Sequence, residues 1–204
     1  MMTPCVVIVM VKAPVPGYVK TRLIPALGAE RAAQLAERLL QHALDAALQA
    51  SLGPVDLCCA PDVHHPLLQR HRLQPGVVLS DQGDGDLGQR MARAFDRWWP
   101  QAQRILMTGT DAPALDAQVL QRAAKSLDTV DAVFVPAADG GYALVGLRRP
   151  APSLFVGVAW STAQVMATTR LHLAAAGLSH TELDTLSDID EAADLVHLPA
   201  DWRV

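Results

Sequence analysis

The amino-acid sequence predicts a layered α/β domain with a largely parallel sheet. Short apolar runs rich in β-branched residues alternate with longer segments of helical periodicity from one end of the chain to the other. This alternation is typical of parallel strands joined by covering helices. Half of the 204 residues are hydrophobic and only 19% are charged, so a packed core is easily supplied. Because the chain has no repeat, linker or low-complexity tract, we expect one domain over residues 1–204.

The predicted elements follow one another in a regular order. Apolar runs predict strands at 5–11, 55–60, 77–80, 104–108, 131–136 and 142–147. Helical spacing of apolar residues predicts helices at 29–52, 66–72, 87–99 and 188–196. Asp116 is expected to cap a further helix, and Ser161 or Thr162 is expected to cap one that ends near Ala176.

Composition and charge exclude several classes of protein. The net charge of -4 and the lack of a Lys/Arg run or aromatic stripe argue against nucleic-acid binding. No segment approaches the roughly 18 consecutive apolar residues that a membrane span needs. Cys5, Cys58 and Cys59 are odd in number and two are adjacent, which fits no disulfide framework. We therefore expect a soluble, cytoplasmic protein.

A loop with three cations follows the first strand. Two prolines and Gly17 shape it, and it carries Lys12, Lys20 and Arg22. Ligands of open α/β sheets bind beyond the carboxyl ends of the strands, and lysine with arginine suits phosphate oxygens. The glycine spacing is not that of a Walker A loop. Phosphate binding and a merely solvated basic loop both remain open.

A glycine-rich segment at 83–88, GDGDLG, matches GxGxxG between a strand and a helix. Asp84 and Asp86 place negative charge where a dinucleotide pyrophosphate needs positive potential, so a Rossmann fingerprint is disfavoured. The remaining alternatives are a backbone contact with a base or ribose and a structural turn.

Asp111 lies three residues after the end of the fourth predicted strand, which places it at the edge of the sheet where ligands bind. Mg²⁺ or Mn²⁺ on a diphosphate needs only one or two protein carboxylates. A second could come from Asp188 or Asp190. The alternatives are a turn aspartate at Asp111 and a helix-capping pair formed by Asp188 and Glu191.

A second turn, at 136–142, could also contact a ligand. Asp139 could accept hydrogen bonds from sugar hydroxyls, and the glycines before Tyr142 would let a ligand approach the backbone. Tight-turn geometry alone would also explain Gly140 and Gly141.

Five ordered motifs cover nearly the whole chain. They are Lys12 to Leu23, Gly85 to Met91, Gly109 to Pro113, Pro136 to Tyr142, and Trp160 to Thr162 with Asp188 to Leu195. Together they resemble the KxPxxGxxKTRL, GDLGxRM, GxDxP, PxxDGGY and WST…DIDxxxDL motifs of a bacterial branch of the nucleotide-diphospho-sugar transferase superfamily, which has the glycosyltransferase-A-like fold. The resemblance implies a three-layer α/β/α sandwich with a mostly parallel mixed sheet.

The resemblance also implies a role for each motif. The phosphate-binding residues would be Lys12, Gly17, Lys20 and Arg22. The residues near base and ribose would be Asp84, Gly85 and Gly88. The metal ligands would be Asp111 and Asp190, and the sugar or acceptor side would be Asp139, Gly140, Gly141 and Tyr142. The candidate catalytic residues are Lys20, Asp111 and Asp139, with Asp139 as the candidate general base.

Two departures from the superfamily pattern matter. Gly109 stands where the first carboxylate of a DxD motif would be, two residues before Asp111, so we expect modest metal affinity. The GGxSxRMGxxK loop of the molybdopterin-guanine and N-acetylglucosamine nucleotidyltransferase groups is missing, which argues against those activities.

The implied activity is glycosyl transfer from a nucleotide-diphospho-sugar donor to an unidentified acceptor, with Mg²⁺ or Mn²⁺. One alternative is a nucleotidyltransferase resembling the phospholactate guanylyltransferase group, which would release pyrophosphate. Another is a non-catalytic nucleotide-binding module on the same fold. The expected partner is a nucleotide or nucleotide sugar, with no nucleic acid or membrane; the oligomeric state is left open, a homodimer being one option.

Overall fold

One seven-stranded sheet organises residues 5–202, which are the residues that the computed structural model describes. The strand order across the sheet is β3-β2-β1-β4-β6-β5-β7. Strand β6 is antiparallel to β4 and β5, and the other pairs are parallel. The strands are β1 Cys5–Lys12, β2 Val55–Ala60, β3 Val77–Asp81, β4 Arg104–Thr108, β5 Ala132–Pro136, β6 Tyr142–Leu147 and β7 His180–Glu182.

Helices cover both faces of this sheet. The α-helices are α1 Ile24–Leu27, α2 Ala29–Gln49, α3 Pro66–Gln69, α4 Leu87–Trp98, α5 Ala117–Ser126 and α6 Val165–Ala175. Short 3₁₀ helices occupy Thr21–Leu23, Arg70–Leu73, Pro152–Phe155, Ala192–His197 and Ala200–Trp202. No helix within residues 5–202 is both long enough and apolar enough to cross a membrane.

The core lies in two layers, one on each face of the sheet. Successive strand residues point to opposite faces, so Val7 of β1 packs with α2 and α5, while Ile8 packs with α4 and α6. The adjacent cysteines divide in the same way, with Cys59 in the first layer and Cys58 in the second. The three-layer α/β/α sandwich with a mostly parallel mixed sheet is therefore confirmed. That residues 1–204 form a single domain stays a prediction, because residues 1–4 and 203–204 lie outside the described part.

Several predicted boundaries need correction. Helix α6 begins after Gln164, which has no side-chain capping bond, so the predicted caps Ser161 and Thr162 are wrong. The Thr162 hydroxyl instead donates to the Ala159 carbonyl, 2.7 Å away, within the preceding turn. The prediction of a helix at 188–196 is also wrong, because only a 3₁₀ helix at Ala192–His197 forms there.

The predicted capping pair of Asp188 with Glu191 is wrong as well. The capping box at Ala192–His197 joins Glu191 to Asp194 instead. The Asp194 carboxylate also accepts a hydrogen bond of 3.0 Å from the Asp190 backbone N–H. The segment from Asp188 to Asp190 is therefore an irregular connection outside helix and strand.

Asp131, at the start of β5, joins three strands at the opposite edge of the sheet. Its carboxylate accepts hydrogen bonds from the Ser179 backbone and hydroxyl, at 3.0 and 2.9 Å, just before β7. It also accepts bonds from Arg148 and Arg149, which follow β6, at 3.2 and 3.0 Å. Burial opposes ionisation, but these hydrogen bonds, from Ser179 first, outweigh it and lower the pKa of Asp131 to about 2.

We expect Asp131→Asn to destabilise the protein by about 1–3 kcal/mol near neutral pH, because charge-assisted hydrogen bonds are lost. Each kcal/mol should lower Tm by about 2–4 °C. Since the folded-state pKa lies below the ordinary value, the contribution is present above the ordinary pKa of 3.8 and is lost as pH falls toward about 2. Thermal unfolding of wild type and variant should therefore converge over this range. A Tm difference that stays constant down to pH 2 would contradict the assignment.

Candidate functional site

A cavity of about 430 Å³ opens at the carboxyl edge of the central strands. It lies where β1 and β4 end and where the antiparallel strand β6 begins. Loops that follow parallel strands meet at this edge, which is where ligands bind in open α/β sheets. The cavity has one wall of carboxylates and another of apolar side chains.

Four aspartates form the carboxylate wall: Asp111 after β4, Asp139 in the turn before β6, and Asp188 with Asp190 after β7. The Ile189 backbone N–H donates to the Asp111 carbonyl over 2.8 Å and joins two of these segments. Burial, and then the negative charge of Asp139 and more weakly of Asp111, raises the pKa of Asp188. Asp188 thus lies close enough to Asp139 and Asp111 to be affected by their charges.

Two cations of the first loop bind this wall. The Lys20 ammonium lies 2.6 Å from an Asp111 carboxylate oxygen and donates to the Ile189 carbonyl over 2.5 Å. The Lys20 side chain is only 6% exposed, whereas that of Asp111 is 50% exposed. Arg22 Nη1 lies 2.6 Å from Asp190 Oδ2. Two of the three predicted phosphate-binding cations, Lys20 and Arg22, are therefore in contact with the predicted metal ligands.

The donor chemistry of this wall fits a hard divalent cation. Carboxylate oxygens are the ligands that Mg²⁺ and Mn²⁺ prefer, and one or two suffice when phosphate and water complete the shell. Four carboxylates face Lys20 and Arg22, so negative charge is in excess. Within residues 5–202, no three His, Cys, Asp or Glu side chains converge as a preformed metal site. Metal binding by Asp111 and Asp190 stays a prediction.

A second group of lining residues, called here the apolar wall, belongs to the core layer beneath α4 and α6. Met91 of α4, Met107 of β4 and Val145 of β6 line it, and each is at most 5% exposed. Nearer the mouth, the rings of Tyr142 and Trp160 meet edge to face with centroids 6.4 Å apart. Sequence reasoning missed this wall, because apolar residues at strand and helix spacing are indistinguishable from ordinary core.

Tyr142 differs from the other side chains of the apolar wall because it carries a polar atom. Its hydroxyl is shielded from solvent and has no hydrogen-bond partner among residues 5–202. Burial raises the pKa of Tyr142, so the phenol stays neutral. The prediction that Tyr142 lies on the sugar or acceptor side is untested, but the structure does place it in the cavity with Asp139 and Gly141.

Gly88 has a packing role rather than a place in the cavity. A Cβ atom there would lie 2.3 Å from the Phe155 carbonyl oxygen and 2.8 Å from Trp160 Nε1. The glycine therefore lets Trp160 lie directly against the first turn of α4. Gly140 has a similar role, since a Cβ there would lie 2.4 Å from the Ala163 carbonyl oxygen.

The remaining predicted ligand residues lie outside the cavity lining. Asp84 and Gly85 have backbone carbonyls that accept hydrogen bonds of 2.9 Å from Arg93 and Arg90 of α4. Lys12 donates to the Tyr18 carbonyl over 2.8 Å and so closes its own loop around Gly17, which is exposed. These contacts hold both loops in place beside the cavity, and nucleotide contacts by these residues stay a prediction.

The fold is that of the nucleotide-diphospho-sugar transferases. A crystal structure from Desulfovibrio desulfuricans G20, provisionally named a nucleotide-diphospho-sugar transferase, is 31% identical over 93% of this chain and 84% of its own, with a TM-score of 0.85. The chain belongs to the DUF2064 family, described as uncharacterised proteins conserved in bacteria, whose profile matches residues 39–162. No curated protein matches it in sequence.

More distant structures share the fold alone. CMP:2-keto-3-deoxy-manno-octonic acid synthetase complexed with CTP is 11% identical, with 96% of each chain covered and a TM-score of 0.60. A manganese complex of Rv0371c from Mycobacterium tuberculosis H37Rv is 17% identical, covering 94% of this chain and 95% of its own, with a TM-score of 0.56.

We expect Gly88→Ala to lower stability by about 1–3 kcal/mol, because the added methyl group must displace a backbone carbonyl or the Trp160 ring. Gly109→Ala is the matched control, since a Cβ there meets no atom within 4 Å. Thermal unfolding and tryptophan fluorescence would measure both effects. Equal Tm values for the two variants would contradict the packing role of Gly88.

Proposed function

We propose that this protein is a metal-dependent transferase that moves a glycosyl group from a nucleotide-diphospho-sugar donor to an acceptor in the cavity. The observation that carries the proposal is the meeting of Asp111, Asp190, Lys20 and Arg22 at the carboxyl edge of the sheet. Carboxylates beside buried or paired cations suit a ligand that combines phosphate groups with a divalent ion. The name of the Desulfovibrio desulfuricans structure supports the same class of reaction.

Lys20 and Arg22 bind and orient the diphosphate in this proposal. An ammonium group has three N–H donors, and Lys20 uses two of them on Asp111 and Ile189. The third can bind a phosphate oxygen without breaking the existing contacts. Arg22, with 60% of its side chain exposed, can turn a second N–H toward the same group. Asp84 and Gly85 then face the base and ribose.

Asp111, together with Asp188 or Asp190, would hold the divalent ion. When bound, the ion supplies electrostatic stabilisation of the charge that develops on the departing diphosphate. Asp188 is included because it lines the cavity with Asp111 and Asp139, and no cation among residues 5–202 forms an ion pair with it. Because position 109 is a glycine and supplies no carboxylate, these aspartates and the phosphate oxygens would provide the binding energy for the ion.

Asp139 would accept the proton of the acceptor hydroxyl. Its Oδ1 atom accepts a hydrogen bond of 2.8 Å from the Gly141 N–H, which fixes the carboxylate while leaving it exposed at the cavity. The acceptor O–H bond breaks as the acceptor oxygen bonds to the anomeric carbon. The bond from that carbon to the phosphate oxygen breaks, and its electron pair leaves with the nucleoside diphosphate.

The first test is isothermal titration of nucleoside diphosphates and nucleotide sugars, with and without Mn²⁺, on wild type and Asp111→Asn. We expect Mn²⁺-dependent binding in wild type that weakens at least tenfold in the variant, because a metal ligand is lost. Saturating ligand at about a hundredfold over Kd should also stabilise wild type by about 2.7 kcal/mol.

The matched control is Asp128→Asn, which removes a surface carboxylate bound to Arg104 far from the cavity. It should bind nucleotides as wild type does. Equal binding by wild type and Asp111→Asn, or no binding of any nucleotide, would refute the proposed site.

A nucleotidyl transfer is the second candidate, because CMP:2-keto-3-deoxy-manno-octonic acid synthetase shares this fold and was crystallised with CTP. The two reactions release different products. Glycosyl transfer releases a nucleoside diphosphate from a nucleotide sugar, whereas nucleotidyl transfer releases pyrophosphate from a nucleoside triphosphate. We expect the former in a coupled assay for both products. Pyrophosphate release would favour the second candidate, and metal-dependent binding without either product would favour a non-catalytic binding module.

A further inference from the structure

The apolar wall of the cavity has no use in binding phosphate or metal. Met91, Met107 and Val145 are 5%, 2% and 1% exposed, yet they line the same cavity as the aspartates. Met107 and Val145 are direct cross-strand partners, so the cavity reaches down to the sheet itself. Phosphate groups, which are strongly hydrated, gain nothing from such a surface.

Specific packing contacts hold the aromatic side chains of this wall in position. Trp160 contacts α4 at Gly88, where no side chain would fit, and meets the Tyr142 ring edge to face. Leu87, 42% exposed, extends the apolar surface to the rim of the cavity. Apolar lining beside a few polar groups is typical of a ligand-binding pocket.

Polar lining groups besides the aspartates and Arg22 are few: the Tyr142 hydroxyl, the Trp160 indole N–H and the hydroxyls of Thr108, Ser161 and Thr162. Met91, Met107 and Val145 offer no strong hydrogen-bond donor or acceptor side chain. A hydroxyl in contact with only these three side chains loses its hydrogen bonds to water without replacement. The group that lies against Met91 and Met107 is therefore apolar, and the flexible thioethers suit an aromatic or aliphatic body.

We propose that the acceptor is an amphipathic small-molecule alcohol, whose hydroxyl lies at Asp139 and whose aromatic or aliphatic body lies against Met91, Met107 and Trp160. This inference rests on the proposed transfer reaction, because it assigns the acceptor of that same cavity. A free sugar has hydroxyls on most of its ring carbons, and those that lie against Met91, Met107 and Val145 would find no hydrogen-bond partner on these side chains.

Benzyl alcohol and cyclohexylmethanol, compared with glycerol and glucose, are suitable probes for ligand-observed saturation-transfer NMR on the full chain. Benzyl alcohol and cyclohexylmethanol should bind measurably, and glycerol and glucose should not. In Met91→Gln, which keeps the length of the side chain but adds an amide, affinity for benzyl alcohol should fall about tenfold. Met91→Leu, which stays apolar, should bind within about threefold of wild type.

Leu87→Gln provides a second variant, because Leu87 is partly exposed and its replacement should not disturb folding. It should weaken benzyl alcohol binding about threefold. Glucose binding as tight as that of benzyl alcohol, or unchanged benzyl alcohol affinity in both Gln variants, would overturn the inference.

Nucleotide titrations on the same samples separate the two proposals. Nucleotide binding without any binding of benzyl alcohol or cyclohexylmethanol overturns the apolar acceptor site and leaves the transferase proposal standing. Benzyl alcohol binding that depends on Met91, in a protein that binds no nucleotide, supports the apolar site and overturns the transferase proposal.

Discussion

The contact between Lys20 and Asp111 organises the functional edge of this protein. It joins the loop after β1 to the loop after β4, and the same ammonium binds the Ile189 carbonyl beyond β7. Ile189 in turn donates its N–H to the Asp111 carbonyl, which closes a ring of three contacts between distant segments. Because Asp188 and Asp190 flank Ile189, this ring also fixes the position of the second half of the carboxylate wall.

The electrostatics of the site follow from this arrangement. Burying an ammonium group costs desolvation free energy unless the group is paired with an anion, and Asp111 supplies that anion for Lys20. Among residues 5–202 no cation forms an ion pair with Asp188, whose pKa is raised by burial and by Asp139, with a smaller contribution from Asp111. Negative charge is therefore paired with a cation at Asp111, and at Asp188 it has no paired cation in the described part of the chain. A divalent ion bound between Asp111 and Asp188 would supply positive charge at Asp188 without displacing Lys20.

Sequence patterns predicted strand bounds best for strands that are buried on both faces of the sheet. Strands β4 and β6 were predicted at their observed bounds, because strands covered by helices on both faces are continuous apolar runs. Strand β7, with the sequence HTE, was missed because it is short, polar and at the sheet edge. Asp111 and Asp139 could be located from their positions at strand ends. The contact of Lys20 with Ile189, 169 residues away, has no local signal, and the lining role of Met91 is hidden in an ordinary helical pattern.

The antiparallel strand β6 explains why one cavity has two such different walls. In a fully parallel sheet, only residues at the carboxyl ends of strands would reach this edge. Because β6 runs in the opposite direction, its first residue, Tyr142, lies beside the end of β4, and the turn that precedes it brings Asp139 to the same place. Strand β6 therefore contributes its apolar face, including Val145, to the cavity floor, while its turn contributes a carboxylate to the mouth. A proton acceptor and an apolar surface are thus placed side by side by the direction of a single strand.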